Sequence, residues 1–308
     1  MSKTGKVIQS TGKWYKVSSD GEIIDCRIPG KFRLLDIGDT NPVAVGDSVS
    51  LTVGDDGKGM INEIHQRKNY IPRKATRSGR DEQILVSNID RAWVVQSIKM
   101  PTLKRGFIDR FLVACEAYEI PAGVIINKID LLKKGKQAEI DSIEETYTSI
   151  GYPVLRTSIE DPGTIKTLKE ETKDKTSVLI GHSGVGKTSL INCLDPDIDL
   201  TVGDISAYSE KGRHTTTYAR LLELEYGGFI VDTPGIKEFG LVNIEPYELS
   251  LFFPEMREPR QYCKFNNCTH SHEPKCGVIE AYERGEIDPE RYNSYLNILE
   301  GLDEGRIW

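Results

Sequence analysis

Over residues 1–66 apolar and polar positions alternate in short runs. Lys6–Gln9, Trp14–Val17, Glu22–Arg27, Asp47–Val53 and Met60–His65 follow the period of two expected of strands with one buried face. Asp20-Gly21 and Asp56-Gly57 punctuate these runs and read as hairpin turns, because both residue types tolerate positive φ. Five such strands in one short segment predict a small β-barrel of the OB-fold type. From about Gln83 the pattern changes. Ile84–Val86, Ala92–Gln96, Gly123–Ile126, Tyr152–Leu155, Ser177–Ile180 and Gly228–Val231 are apolar runs of strand length. Phe107–Ala117, Gln137–Ile150 and Thr188–Leu194 lie between them with helical spacing. Strands alternating with helices predict a parallel sheet covered on both faces. After about Leu241 strand character disappears, and Glu245–Met256, Val278–Arg284 and Asp288–Leu302 read as helices. The chain therefore divides into a β-barrel (1–66), a linker (67–82), an α/β region (83–240) and a helical region (241–308). The fold class is multidomain α/β.

Composition narrows the class. The 308 residues carry 40 Lys+Arg against 47 Asp+Glu, a formal net charge of −7, with 38% hydrophobic residues. This is a globular composition, not a disordered one. The acidic balance argues against a protein that simply coats nucleic acid. The linker departs from that average: Arg67–Arg80 holds six Lys/Arg, no acid, and Tyr70 among them. Such a run often forms a solvated linker; following a candidate nucleic-acid-binding barrel, it is also a candidate for phosphate contact. Acidic residues collect elsewhere, including Glu280, Glu283, Glu286, Asp288 and Glu290. No run of apolar residues is long enough to span a membrane. Met1–Ser10 lacks the apolar core of a signal peptide, so a cytoplasmic location is expected.

Gly181-His182-Ser183-Gly184-Val185-Gly186-Lys187-Thr188, followed by Ser189, fits the phosphate-binding loop G-x-x-x-x-G-K-[ST]. Its glycines let backbone N–H groups approach phosphate oxygens, and the helix that follows favours an anion at its N-terminus. Lys187 is expected to reach the β- and γ-phosphates and Thr188 to offer its hydroxyl to Mg²⁺. His182 occupies a variable position of the motif and receives no role of its own. The motif does not choose the base. Asn127-Lys128-Ile129-Asp130, after the strand Gly123–Ile126, matches N-K-x-D. There Asp130 would accept from the guanine N1–H and exocyclic amine, a donor pair that adenine lacks. Thr157 and Ser158, in Arg156-Thr157-Ser158-Ile159 after another strand, suit a loop backing the guanine. Asp232-Thr233-Pro234-Gly235 follows the strand Gly228–Val231. Asp232 is expected to hold Mg²⁺ through water and the Gly235 N–H to meet the γ-phosphate.

The order of these motifs is permuted. N-K-x-D precedes the phosphate loop, whereas classical GTPases place it last. Circular permutation accommodates this, since chain termini commonly lie close together. As a consequence the C-terminal region follows directly on the Asp232–Gly235 loop, whose conformation depends on the γ-phosphate.

Cys263, Cys268 and Cys276 crowd together beside His270 and His272, while Cys26, Cys115 and Cys193 are dispersed. In a reducing compartment such a cluster reads as metal ligands before disulfides. Three thiolates and one imidazole fill a tetrahedral zinc shell, so the site would be structural. Either histidine could supply the fourth ligand.

A barrel, then permuted N-K-x-D, G-x-x-x-x-G-K-T, Gly212-Arg213-His214-Thr215-Thr216-Thr217 and D-T-P-G, then C-x4-C-x-H-x5-C, resembles the RsgA (YjeQ/YloQ) family of ribosome small subunit-dependent GTPases along nearly the whole chain. The resemblance implies a GTPase that hydrolyses GTP to GDP and phosphate, binds the 30S subunit late in its maturation and is stimulated by it. It selects His270 as the fourth zinc ligand. It makes Gly212–Thr217 the first switch, with Thr216 or Thr217 folding over the γ-phosphate. Ile236 stands where many Ras-like enzymes have a water-orienting Gln, so the resemblance makes His214 the candidate to position the attacking water. The expected cofactors are one structural zinc ion, and magnesium with GTP. The expected partners are GTP and GDP, the 30S subunit and its 16S rRNA, with no membrane and with the chain a monomer. The alternative reading is a nucleotide-gated RNA-binding scaffold with incidental hydrolysis. An ATP-using P-loop kinase would require ATP to compete with GTP.

Overall fold

The computed structural model describes residues 2–11, 13–30, 42–73, 83–198, 200, 219–232 and 244–303. Two compact units make up the chain: Met1–Ala92, Ile165–Ile180 and Lys187–Glu238 form one, and Trp93–Thr164, Gly181–Gly186 and Phe239–Trp308 the other.

The first unit begins with β1 (Ser2–Ser10), β2 (Tyr15–Ser19), β3 (Glu22–Arg27), β4 (Ser48–Val53) and β5 (Gly59–Ile64). The turn between β2 and β3 uses Asp20 and Gly21, both at positive φ. Strand pairing runs β1-β2-β3-β5-β4 and returns from β4 to β1, so the five strands close a barrel. All contacts are antiparallel except β3 with β5. Inward-facing Val7, Tyr15, Val17, Ile24, Cys26, Val49, Leu51 and Ile61, with Val43, form its apolar core. Closure removes sheet edges within the barrel.

The barrel is continuous with the rest of its unit. Gln9 of β1 pairs with Arg220 of β12 (Arg220–Glu223). The sheet continues through β13 (Phe229–Asp232) to β11 (Thr176–Ile180), which runs parallel to β13. Lys6 seals this junction: its Nζ donates to Thr176 Oγ1 at 2.7 Å and lies 5.0 Å from the Phe229 ring. Burial lowers the Lys6 pKa. Helices α3 (Pro162–Thr172) and α4 (Lys187–Leu194) flank these strands in the chain.

Expectations for residues 67–87 need correction. Ile84–Val86 does not join the α/β sheet. It lies in β7 (Gln83–Ser87), which pairs antiparallel with β6 (Tyr70–Arg73) as a separate ribbon. Strand β6 thus begins inside the segment read as a linker. Arg67 is not displayed for phosphate either. Its guanidinium donates to both oxygens of fully buried Asp47, at 2.7 and 2.8 Å, and to Pro42 O. Asp47 also accepts from Ser87 Oγ at 2.6 Å, which ties the ribbon to the barrel. Residues 74–80 of the basic run lie outside the described residues.

The second unit has strand order β10-β9-β8, from β8 (Arg91–Ser97), β9 (Ala122–Asn127) and β10 (Val154–Thr157), with β9 and β10 parallel. Every residue of β9 is buried, as its unbroken apolar run requires. Helix α1 (Arg105–Ala117) follows β8, and α2 (Gln137–Ser149) precedes β10. Val113 and Ala114 of α1 share a core with Leu249, Phe253, Met256, Val278, Ala281, Tyr295 and Ile298. The C-terminal region thereby packs on α1. Helices α5 (Gly277–Glu283) and α6 (Pro289–Asp303) form as expected. Glu245–Met256 is not one α-helix. It folds as the 3₁₀ segments Pro246–Phe252 and Pro254–Met256, because Pro254 lacks the N–H that would continue the first. Among the described residues no helix is long and apolar enough to cross a membrane.

Candidate functional site

In the second unit the N-K-x-D residues meet the phosphate loop through Asn127. This side chain is buried at the end of β9. Its Nδ2 donates to Val185 O at 2.9 Å, and its Oδ1 accepts from Thr157 Oγ1 at 2.9 Å. One amide thus holds the phosphate loop on one side and the C-terminal end of β10 on the other. Gly184 and Gly186 both have positive φ, and a Cβ at Gly186 would collide with Asn127 Nδ2. Glycine is required there because the loop and the amide approach too closely for any side chain.

Lys128 adopts the left-handed region at φ 62°. That turn directs its Nζ to Gly184 O at 2.6 Å and Met100 O at 2.9 Å. Lys128 is therefore a clamp on the loop. Ile129 opens the short 3₁₀ turn Ile129–Leu131, which carries Asp130 at an exposed position. Asp130 Oδ1 accepts from Ser158 Oγ at 2.5 Å, so the buried Ser158 aims the carboxylate. Ser158 is itself held by its N–H donation to Thr164 Oγ1. Among the loop residues, Gly181 packs against the backbone of Val95 and Ser183 is exposed. His182 lies with its ring 4.2 Å from that of Phe107 on α1.

In the first unit Lys187 opens α4 directly after the loop, with Thr188 and Ser189 half-buried in its first turn. Asp232 ends β13 nearly buried, and its Oδ2 accepts from Arg220 Nε at 2.7 Å. Hydroxyl and carboxylate oxygens are the hard donors that magnesium prefers, so Thr188 and Asp232 fit that ion chemically. His214, Thr216, Thr217 and Gly235 lie outside the described residues.

The second unit also carries the cysteine cluster. The ligand atoms of Cys263, Cys268, His270 and Cys276 all lie within 4.8 Å of one another. Cys263 Sγ and Cys276 Sγ are 3.8 Å apart, and His270 Nδ1 lies 3.2 Å from Cys276 Sγ. A tetrahedral zinc ion with ordinary Zn–S bonds has S···S edges of about 3.8 Å. The cluster has the size of a zinc shell. His270 is buried and turns its Nε2 to Ser250 Oγ at 3.0 Å, which points Nδ1 at the thiols. His272 is exposed and its ring contacts Ser271 Oγ, outside the cluster. The geometry therefore agrees with His270 as the fourth ligand.

Burial pushes the His270 pKa down to about 4, which keeps the imidazole neutral and able to donate a lone pair. Burial pushes the Cys268 thiol up to about 12, so the thiolates need a cation. Glu273 organises the loop: its carboxylate accepts from the Thr269, Ser271 and His272 N–H groups and from Thr269 Oγ1. Burial alone would raise the Glu273 pKa, but these bonds hold it at about 2. Tyr292 and Tyr295 bind the carbonyls of His270 and Thr269.

Several of these residues escape motif reading. Arg220, Glu273, Ser250 and Lys128's clamp act through partners that are distant in sequence or unmarked by spacing. Only Glu273, inside the x5 stretch of the cysteine motif, carries a positional hint.

The chain resembles proteins of known family along its length. Residues 64–242 match the family model described as RsgA GTPase, and residues 4–61 that of the RsgA N-terminal domain. Small ribosomal subunit biogenesis GTPase RsgA 2 of Bacteroides thetaiotaomicron is 42% identical over 303 residues, 98% of both chains. Small ribosomal subunit biogenesis GTPase RsgA of Flavobacterium johnsoniae is 46% identical over 305 residues, covering 98% of this chain and 94% of its own. Among solved structures, YjeQ from Thermotoga maritima superposes with a TM-score of 0.82 at 35% identity, covering 98% of this chain and 99% of its own. YloQ, described as a circularly permuted GTPase, gives 0.78 at 32% identity, covering 99% and 96%.

Proposed function

The chain belongs to the RsgA GTPase family, and from that premise we propose that it hydrolyses GTP while assisting late maturation of the small ribosomal subunit. The observation that carries the nucleotide half is the Asn127 amide, which joins the phosphate loop to the C-terminal end of β10. That arrangement presents Asp130 at a rigid, exposed position suited to the guanine edge. Lys187 serves the β- and γ-phosphates from the first turn of α4. Thr188 and Asp232 would hold magnesium, which neutralises phosphate charge when bound. Gly235 contributes its N–H, Thr216 or Thr217 closes over the γ-phosphate, and His214 orients the attacking water. The role of Gly235 rests on its D-T-P-G motif, and those of Thr216 or Thr217 and His214 on the family resemblance. The Cys263/Cys268/His270/Cys276 centre holds zinc as a structural ion.

The barrel supports 16S rRNA as a partner. On its outer surface the Arg27 guanidinium lies 3.9 Å from the Trp14 ring and Lys58 Nζ lies 5.8 Å from it. An aromatic face flanked by cations suits stacked bases and phosphates.

Turnover of GTP with and without isolated 30S subunits tests the assignment. Slow basal hydrolysis that rises with the subunit is expected, and equal rates would overturn the ribosomal part. Asp130→Asn should weaken GTP binding and favour xanthosine triphosphate, whose C2 carbonyl accepts from an amide. Unchanged GTP preference in competition binding would remove Asp130 from base recognition. A His214→Ala chain that turns over slowly yet completes maturation in cells would favour the scaffold alternative.

A further inference from the structure

Asp232 faces a cation supplied by the protein. Arg220 Nε donates to Asp232 Oδ2 at 2.7 Å, and the two residues stand opposite each other in the β12–β13 ladder. The side chains differ in setting: that of Asp232 is 10% exposed and that of Arg220 is 48% exposed. The guanidinium thus reaches a nearly buried carboxylate from the solvent side, and it can leave without unpacking the core. Its grip is a single bond from Nε, not the two-pronged fork that makes arginine–carboxylate pairs strong. The backbone of Arg220 is fixed on both sides, paired with Asp232 on β13 and with Gln9 on β1. Its Cα therefore stays in place while the side chain moves.

We propose that Arg220 is a positioning residue that stands in for the magnesium ion, neutralising Asp232 when the metal is absent and competing with it when it arrives. This rests on the reading of Asp232 as the magnesium-facing carboxylate. A nearly buried carboxylate needs a counter-charge, and Arg220 provides it before the metal binds. A divalent ion held through the same carboxylate would stand within a few ångströms of the guanidinium. Like charges at that separation repel strongly in a partly desolvated site. Arg220 swings towards solvent as the ion enters, and the apparent magnesium affinity is lowered by the cost of that exchange.

The test is release of a fluorescent GDP analogue from the full chain across a magnesium titration, with Arg220→Gln, Arg220→Lys and Asp232→Asn. Arg220→Gln should move the midpoint for nucleotide retention to about tenfold lower magnesium. Arg220→Lys, which keeps the charge, should stay close to the unaltered chain. Asp232→Asn should move the midpoint upward. An Arg220→Gln midpoint at or above that of the unaltered chain, with Asp232→Asn still shifted, overturns the placeholder and spares the reading of Asp232. An unshifted Asp232→Asn midpoint overturns both. Thermal unfolding with GDP separates a structural role: Arg220→Gln should lower Tm in EDTA and not in excess magnesium. Equal loss in both would also overturn the proposal.

Discussion

The barrel and the C-terminal region are both small, yet they are held together by different means. The barrel closes on itself through backbone ladders and fills with aliphatic side chains, Tyr15 and Cys26. Its determinants are spread over five strands. Among its described residues the C-terminal region has short 3₁₀ segments and two helices, and it buries polar groups: His270, Ser250 and Arg291 are almost fully enclosed. Arg291 reaches Asp109 Oδ1 at 2.8 Å and Glu255 through two bonds, while Tyr147 also donates to Asp109. Here a Cys/His cluster of the size of a zinc shell and an ion triad gather polar interactions in a few side chains. A region rich in regular pairing spreads its determinants over many positions; one built on few polar anchors concentrates them.

Metal removal should separate the two regions most. Structural zinc contributes about 10–16 kcal/mol in small zinc modules. Chelation should abolish hydrogen-exchange protection in α5 and the cysteine loop while β1–β5 keep theirs; loss in both would dissolve the contrast. Acid should act in the same direction. The buried thiols favour the protonated form, so metal is retained at high pH and released as pH falls, which a zinc-sensitive dye would follow. Next in size is Arg291→Ala. Removing one member of a buried ion group leaves the others uncompensated, a loss of about 3–5 kcal/mol. Urea denaturation should read it, and a loss under about 1 kcal/mol would show that the triad is not an anchor. The barrel counterpart is Leu51→Ala, which leaves a cavity worth about 2–5 kcal/mol. Its effect should appear in the exchange of barrel strands and leave zinc retention unaltered.

Alternation along the first segment was enough to locate all five barrel strands, since period two reports which face is buried. Glu22–Arg27 matches to the residue, and β1 extends further toward the N-terminus than its apolar run suggested. Antiparallel β12 was missed because Arg220–Glu223 is too short to show a period. Apolar residues spread through Glu245–Met256 suggest a helix, but Pro246 and Pro254 open two separate 3₁₀ segments there. The apolar run Ile84–Val86 could not declare its partner: pairing with β6 depends on Asp47, Arg67 and Ser87, which are separated along the chain.

Motif spacing marked the candidate residues for nucleotide and metal chemistry, because phosphate approach demands glycine, base reading demands a carboxylate, and zinc favours thiolates. These are demands on residue type, and the chain states them outright. Partnership was decided only in three dimensions. Asn127 as the link between the phosphate loop and the end of β10, Lys128 as a clamp, His270 turned inward by Ser250, and Arg220 on Asp232 all arise from groups brought together across sequence distance. A side chain's chemical type is local, whereas its hydrogen-bond partner is set by how the strands and helices pack.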